Sequence, residues 1–97
     1  MATSIIQFNK ECYVCHKKTG LHRHEVFYGS ANRKKSLEDG CTVYLCGYHH
    51  NLSSEGVHQN HDLDLKLKRL GEICWLEYYK KDISDFIARY GKNYLEE

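Results

Sequence analysis

Cys12-Tyr13-Val14-Cys15 and Cys46-Gly47-Tyr48-His49 are the two stretches whose reading decides the fold of this chain. Each places two ligand-type side chains two residues apart, the spacing at which a tight knuckle turns both towards one tetrahedral ion. Together they match a closed structural zinc site of three thiolates and one imidazole: Cys12, Cys15, Cys46 and His49. A single CxxC is weak evidence, more often redox or incidental. The distribution strengthens it, because all seven histidines and four of the five cysteines fall between residues 12 and 61. A reading of these residues as ordinary buried thiols does not account for that clustering. Exchanging His49 for Cys41, or Cys15 for His16, gives poorer ligand geometry.

Size and composition agree. A chain of 97 residues is one domain, small enough for a metal staple to matter to a modest core. No apolar run follows a basic start and no segment is long enough to cross a bilayer, which predicts neither a signal peptide nor a membrane anchor. Reduced thiols are then expected, and an odd cysteine count favours metal ligation over disulfides. The net charge of +1 does not announce a nucleic-acid binder. Local clusters do stand out, namely Arg33-Lys34-Lys35 and Lys66, Lys68 and Arg69, although runs of this kind are commonly just solvated faces.

Outward from the motifs, the pattern is α+β. Residues 1–10 read as a loose arm or short edge strand. Leu21 to Tyr28 alternates as a strand, with Leu21, Arg23, Glu25 and Phe27 on one face and His22, His24, Val26 and Tyr28 on the other. Gly29 to Gly40 reads as a polar loop with a helical turn, and Cys41–Cys46 as a second strand. Gly47 to Ser54 begins a helix carrying His49 and His50, interrupted by Gly56. From Asp62, apolar residues recur at helical spacing through Leu63, Leu67, Leu70 and Cys74, with Trp75, Tyr78 and Tyr79 extending the surface. Asn60 or Asp62 caps this helix, and Gly71 weakens it. Ser84 reads as the N-cap of a last helix that Gly91 stops. The zinc-and-hairpin core spans 10–60 and the helical extension 61–95 of a single domain.

A knuckle, a β-hairpin and a half-site opening a helix describe a treble-clef module. Cys12-x2-Cys15, Leu21-His-Arg-His-Glu-Val-Phe27, Leu45-Cys46-x2-His49-His50-Asn51 and Gly56-Val-His58 resemble the zinc-containing HNH, or ββα-metal, nucleases of phages. Asp62-Leu-Asp-Leu-Lys-Leu-Lys68 and Phe86-x4-Gly91-Lys-Asn-Tyr-Leu95 are similar to the tail of small HNH-like phage proteins. The resemblance spans about residues 10–95.

It implies a second divalent ion, such as Mg²⁺, Mn²⁺ or Ni²⁺, at a DNA-cleaving site. His24 matches the strand ligand and His50 the first helix ligand, while His58 supplies a further ligand from beyond Gly56. Asn51 and Asn32 match orienting contacts, and Arg33, Lys34 and Lys35 hold phosphate. The departure is at the general-base position, where Glu25 stands in place of histidine. An ordinary carboxylate is a weak base for water at neutral pH, which leaves His22 as a substitute base or ligand. Histidines that merely hydrogen-bond across the hairpin are the plainer account of His22 and His24.

Two functions follow from the resemblance. One is a metal-dependent endonuclease acting on DNA in a host cytoplasm. The other is a nuclease-like scaffold without chemistry that binds a host defence protein, as anti-CRISPR proteins do; exposed Trp75, Tyr78 and Tyr79 would fit such an interface. A zinc-finger DNA reader ranks last, because the helix carrying His50, Asn51, Ser53, Ser54 and Glu55 is poor in positive charge.

Overall fold

Two antiparallel strands, β1 (Leu21–Glu25) and β2 (Thr42–Cys46), pair from Leu21↔Cys46 to Glu25↔Thr42. They belong to a computed structural model of the protein that describes residues 3–50 and 56–95. The strands are joined by helix α1 (Asn32–Asp39), and β2 runs directly into the short helix α2 (Gly47–His50). Helices α3 (His61–Tyr79) and α4 (Ile83–Tyr90) follow, giving a small α+β fold. No helix among the described residues is long and apolar enough to cross a membrane.

β1 is shorter than its alternation predicts. The chain leaves the strand after Glu25, so Val26 and Phe27 both become fully buried and do not divide between two faces. The cause is a polar clamp. The Ser36 hydroxyl donates to the Phe27 carbonyl (2.6 Å) and accepts from the Phe27 N–H (3.1 Å), docking α1 against the end of the strand. The stretch read as a loop is thus a complete helix. It ends at Gly40, whose φ of 78° suits glycine and where a Cβ would run into the Thr3 carbonyl oxygen.

The N-terminal arm is not a strand, but it occupies the edge of β2. Ile5 N–H donates to the Gly40 carbonyl (2.9 Å) and the Ser4 hydroxyl to that of Thr42 (2.6 Å). The Tyr44 N–H donates to Gln7 Oε1 (2.7 Å), so side chains satisfy edge groups that a third strand would otherwise take.

The helical third packs on Phe27. Its ring meets those of Tyr90 (4.6 Å), Phe86 (5.1 Å) and Tyr94 (5.6 Å), and Trp75 joins through Phe86 at 5.4 Å. Gly71 lets α3 approach this centre, since a Cβ there would sit 3.1 Å from both Val26 Cγ1 and the Phe27 ring. Asn60 caps α3 as expected, accepting from Leu63 N–H (3.2 Å). The cap of α4 is Asp82, not Ser84. Asp82 and Asp85 form a reciprocal capping box, and the Ser84 hydroxyl donates to Asp82 Oδ1. Gly91 stops α4 at φ 87°. Of the three aromatic residues read as a surface, Trp75 lies in the core, Tyr79 donates to the Asp39 carbonyl (2.8 Å), and Tyr78 alone is well exposed.

Candidate metal centres

The knuckle forms because backbone hydrogen bonds fold it and sew it to the sheet. Cys12 N–H donates to Lys17 O, His16 N–H to Cys12 O, and Tyr13 N–H to Tyr44 O, each at 2.8 Å. His16 closes the turn in the left-handed region (φ 68°). The tie to Tyr44 sets the knuckle beside the end of β2, where Cys46 leads into α2 and His49.

The ligand atoms of Cys12, Cys15, Cys46 and His49 all lie within 4.8 Å of one another, close enough to hold a metal ion. Cys15 Sγ is 3.7 Å from Cys46 Sγ, and His49 Nδ1 is 3.8 Å from Cys12 Sγ and 3.3 Å from Cys46 Sγ. A tetrahedron with metal–sulfur bonds of about 2.3 Å and metal–nitrogen bonds of about 2.0–2.1 Å has S–S edges of about 3.8 Å and S–N edges of about 3.6 Å. The three separations match those edges. Burial works to raise the Cys12 thiol, but the backbone N–H groups of Cys15, Cys46 and Val14 outweigh it and bring it down to about 6, favouring the thiolate a metal needs. At Cys15 the Lys17 backbone lowers the value, yet desolvation and the neighbouring Cys12 and Cys46 sulfurs prevail and raise it. Sulfurs crowded in this way repel one another as they ionise, and a cation at their centre removes the conflict.

Neither alternative ligand belongs to this group. His16 turns outward and pairs with Glu11. Cys41 is buried beside the Tyr90 hydroxyl, and burial pushes its thiol up to about 12. Cys74, on α3, is partly buried, and desolvation raises its thiol too, in keeping with a packing role.

A second cluster lies across β1. The ring nitrogens of His24, His50 and His58 also fall within 4.8 Å of one another. His24 comes from β1, His50 from the residue after His49, and His58 from a loop that packs on α2 through Val57 N–H to His49 O (2.8 Å). The gap at Gly56 is therefore closed by tertiary structure, with His50 Nε2 and His58 Nε2 at 3.2 Å. His24 is 2% exposed, and its Nε2 has no hydrogen-bond partner among the described residues. Burial, followed by the charges of His50 and His58, pulls His24 down to about 3; burial, His58 and His22 pull His50 down to about 4. Both rings are neutral at pH 7 and keep lone pairs for an acceptor-seeking ligand.

His22 lies outside this trio and supports it. Its Nδ1 is 2.9 Å from His50 Nδ1, so one of the two must carry the shared proton. With that proton on His50, the Nε2 of His50 presents its lone pair to the cluster, an arrangement common behind metal-bound histidines. This places His22 as a positioning group for His50.

The trio opens into a cavity of about 160 Å³ that Arg23, Glu25, Tyr28 and Arg33 also line. Glu25 accepts an ion pair from Arg33 Nε at 3.3 Å. The three basic residues of α1 separate: Arg33 faces the cavity and Lys34 is exposed, whereas Lys35 Nζ donates to the Arg89 carbonyl (2.7 Å) and tethers α1 to α4. Asn32 is likewise engaged away from the cavity, donating to Tyr90 O (3.1 Å). Asn51 lies outside the described residues.

Two neighbours of the cavity carry no motif of their own. The Tyr28 ring lies 5.8 Å from that of His24 and 5.2 Å from that of His58. Lys68, paired with Asp64 at 2.9 Å, stands 4.3 Å over the Tyr28 ring and helps to depress His24. Tyr28 ended an apparent strand and Lys68 sat in a charge run, so only the packing of α3 against the segment that follows β1 reveals them.

No protein-family model, curated protein or solved structure matches this chain.

Proposed function

We propose that this protein is a zinc-stabilised, treble-clef HNH-like nuclease, in which Cys12, Cys15, Cys46 and His49 hold structural zinc and His24, His50 and His58 hold a second divalent ion. The observation that carries the reading is the convergence of three imidazoles on one cavity, with His24 buried, neutral and unpartnered at Nε2. An orphaned buried nitrogen is costly unless something binds it. The closed four-ligand set and the open three-ligand set also divide as structural and catalytic sites do.

When bound, the second ion would supply Lewis-acid stabilisation of charge on a phosphodiester. The chain's own residues set the rest. His22 fixes the proton of His50, and Tyr28 packs against the rings of His24 and His58. Arg33 and Arg23 offer guanidinium groups for non-bridging phosphate oxygens. Glu25 can accept a proton from an attacking water once Arg33 turns to the substrate.

Supercoiled plasmid incubated with Mg²⁺, Mn²⁺ or Ni²⁺ tests the reading. Nicking that is lost in His50→Ala supports it, and no cleavage by the zinc-loaded protein with any of these ions refutes it.

The Arg33–Glu25 ion pair favours a second reading. An arginine neutralising the carboxylate at the general-base position fits a scaffold that has given up chemistry and binds a host defence protein. Metal-loaded protein without cleavage, but with a stable protein complex in infected-cell extracts, would support it.

A further inference from the structure

A trough of about 520 Å³ lies between the N-terminal arm and β2 and shares Arg23 with the histidine cavity. We propose that this trough seats an unpaired stretch of DNA, led along Arg23 from a phosphodiester held at the histidines. The inference rests on the nuclease reading for where the scissile phosphate lies.

Charge comes first. Among the described residues the lining holds two cations, Lys10 and Arg23, and no carboxylate, in a chain whose net charge is only +1. Such a surface complements a polyanion. Aromatic rings come second. Phe8 is 91% exposed, the most exposed large apolar side chain among the described residues. It does not hang from a loose end. The arm is fastened to β2 just before it by Ser4 to Thr42 O and by Gln7, which takes the Tyr44 N–H and reaches past Phe8 to donate to Glu11 O (2.6 Å). A phenyl ring presented to water from a fastened backbone is a platform for a flat apolar partner. Tyr44 lies in the same trough with Lys10 Nζ 5.8 Å over its ring.

Continuity comes third. Arg23 lines both the trough and the histidine cavity and is steadied by Thr42 Oγ1 at 3.3 Å. A backbone crossing Arg23 would therefore leave the histidines and enter the trough. Cations that track phosphates beside rings that stack bases are the recurring equipment of single-strand sites. A paired base offers no free face to Phe8, which makes the occupant unpaired. The volume falls within the range of about 300–1,000 Å³ typical of small-molecule sites, enough for one or two nucleotides.

The test is fluorescence anisotropy of the zinc-loaded protein with labelled (dT)12 and with a blunt duplex of the same length, both in the His50→Ala background so that no probe is cut. The single strand should bind more tightly than the duplex. Phe8→Ala should weaken (dT)12 roughly tenfold while leaving duplex binding and the melting temperature unchanged. Lys10→Gln should reduce the slope of log affinity against log salt by about 0.7, the value for one lost contact to a single strand. Equal affinity for both probes, or (dT)12 binding indifferent to Phe8→Ala, overturns the proposal. The two readings fail separately. Phe8-dependent strand binding by a wild-type chain that cuts nothing keeps the trough and removes the nuclease, whereas metal-dependent nicking without strand preference does the reverse.

Discussion

Asp39 offers the sharpest test of how the helical third is fastened to the half that carries the candidate metal centres. Its carboxylate accepts from Trp75 Nε1 (2.8 Å), Tyr90 OH (2.8 Å), and Arg89 Nε (2.6 Å) and Nη2 (2.8 Å), joining α1 to α3 and α4. Asp39→Ala removes all four acceptor contacts. The Trp75 N–H is left in a site where that residue is only 4% exposed, an orphaned donor costing about 1–3 kcal/mol. Tyr90 loses less, because its hydroxyl also reaches Lys35 O at 3.2 Å. Arg89 is a third exposed and keeps Glu38, so its lost pairing is discounted to about 1 kcal/mol. The expected loss is about 3 kcal/mol, against a total of about 5–15 kcal/mol for a domain of this size. That corresponds to a fall of about 12–24 °C in Tm. Asp39→Asn keeps one acceptor and the shape, and should lose about half as much. Thermal unfolding followed by circular dichroism reads both variants. An Asp39→Ala protein melting within about 3 °C of wild type would refute the reasoning.

Cys12→Ala should unfold much of the chain, because a metal held by four converging ligands contributes its binding free energy to folding; retained zinc and an unchanged melt would remove Cys12 from the ligand set. His50→Ala, at a half-buried position, should leave Tm within a few degrees while abolishing the second metal, read by metal analysis alongside the melt. Gly71→Ala gains helix propensity of about 1 kcal/mol but forces a methyl against fully buried Val26 and Phe27, so urea unfolding should show a net loss of about 1 kcal/mol. Glu72 is fully buried on α3, and burial raises its carboxyl above the ordinary 4.5 while its Oε1 accepts from Tyr94 N–H. The folded state thus binds the proton more tightly than the unfolded state, and stability from this group falls as pH rises from 4.5 through the raised value. Glu72→Gln keeps the acceptor and should flatten that fall, giving a higher Tm than wild type at pH 7 and little difference at pH 4.

The grouping of Cys12, Cys15, Cys46 and His49 was legible, because each candidate ligand pair is local: two residues of spacing fix a knuckle wherever it occurs. His24 and His50 were legible for a related reason, each being placed by its distance from a strand or from His49. His58 was named with them through the resemblance, but how it closes the trio was not legible, since that depends on Val57 docking onto α2 across Gly56. Likewise, nothing local told Arg33, Lys34 and Lys35 apart. α4 had to dock before Lys35 could reach the Arg89 carbonyl. Ser36 illustrates the opposite failure, a polar residue in a polar run whose buried hydroxyl ends β1 and seats α1. The capping preference of Ser84 was outcompeted by the reciprocal bonds of Asp82 and Asp85, which set the cap two residues before Ser84. Apart from that local cap, tertiary contacts decided among the options that local sequence left open.

The central claim is that one chain carries two metal sites with separable roles, and metal stoichiometry tests it most directly. Zinc-loaded wild-type protein, equilibrated with excess Mn²⁺ or Ni²⁺ and desalted, should retain one zinc and a second ion; His50→Ala should retain the zinc alone. One ion per chain in both proteins, or loss of the zinc together with the second ion in His50→Ala, would contradict it.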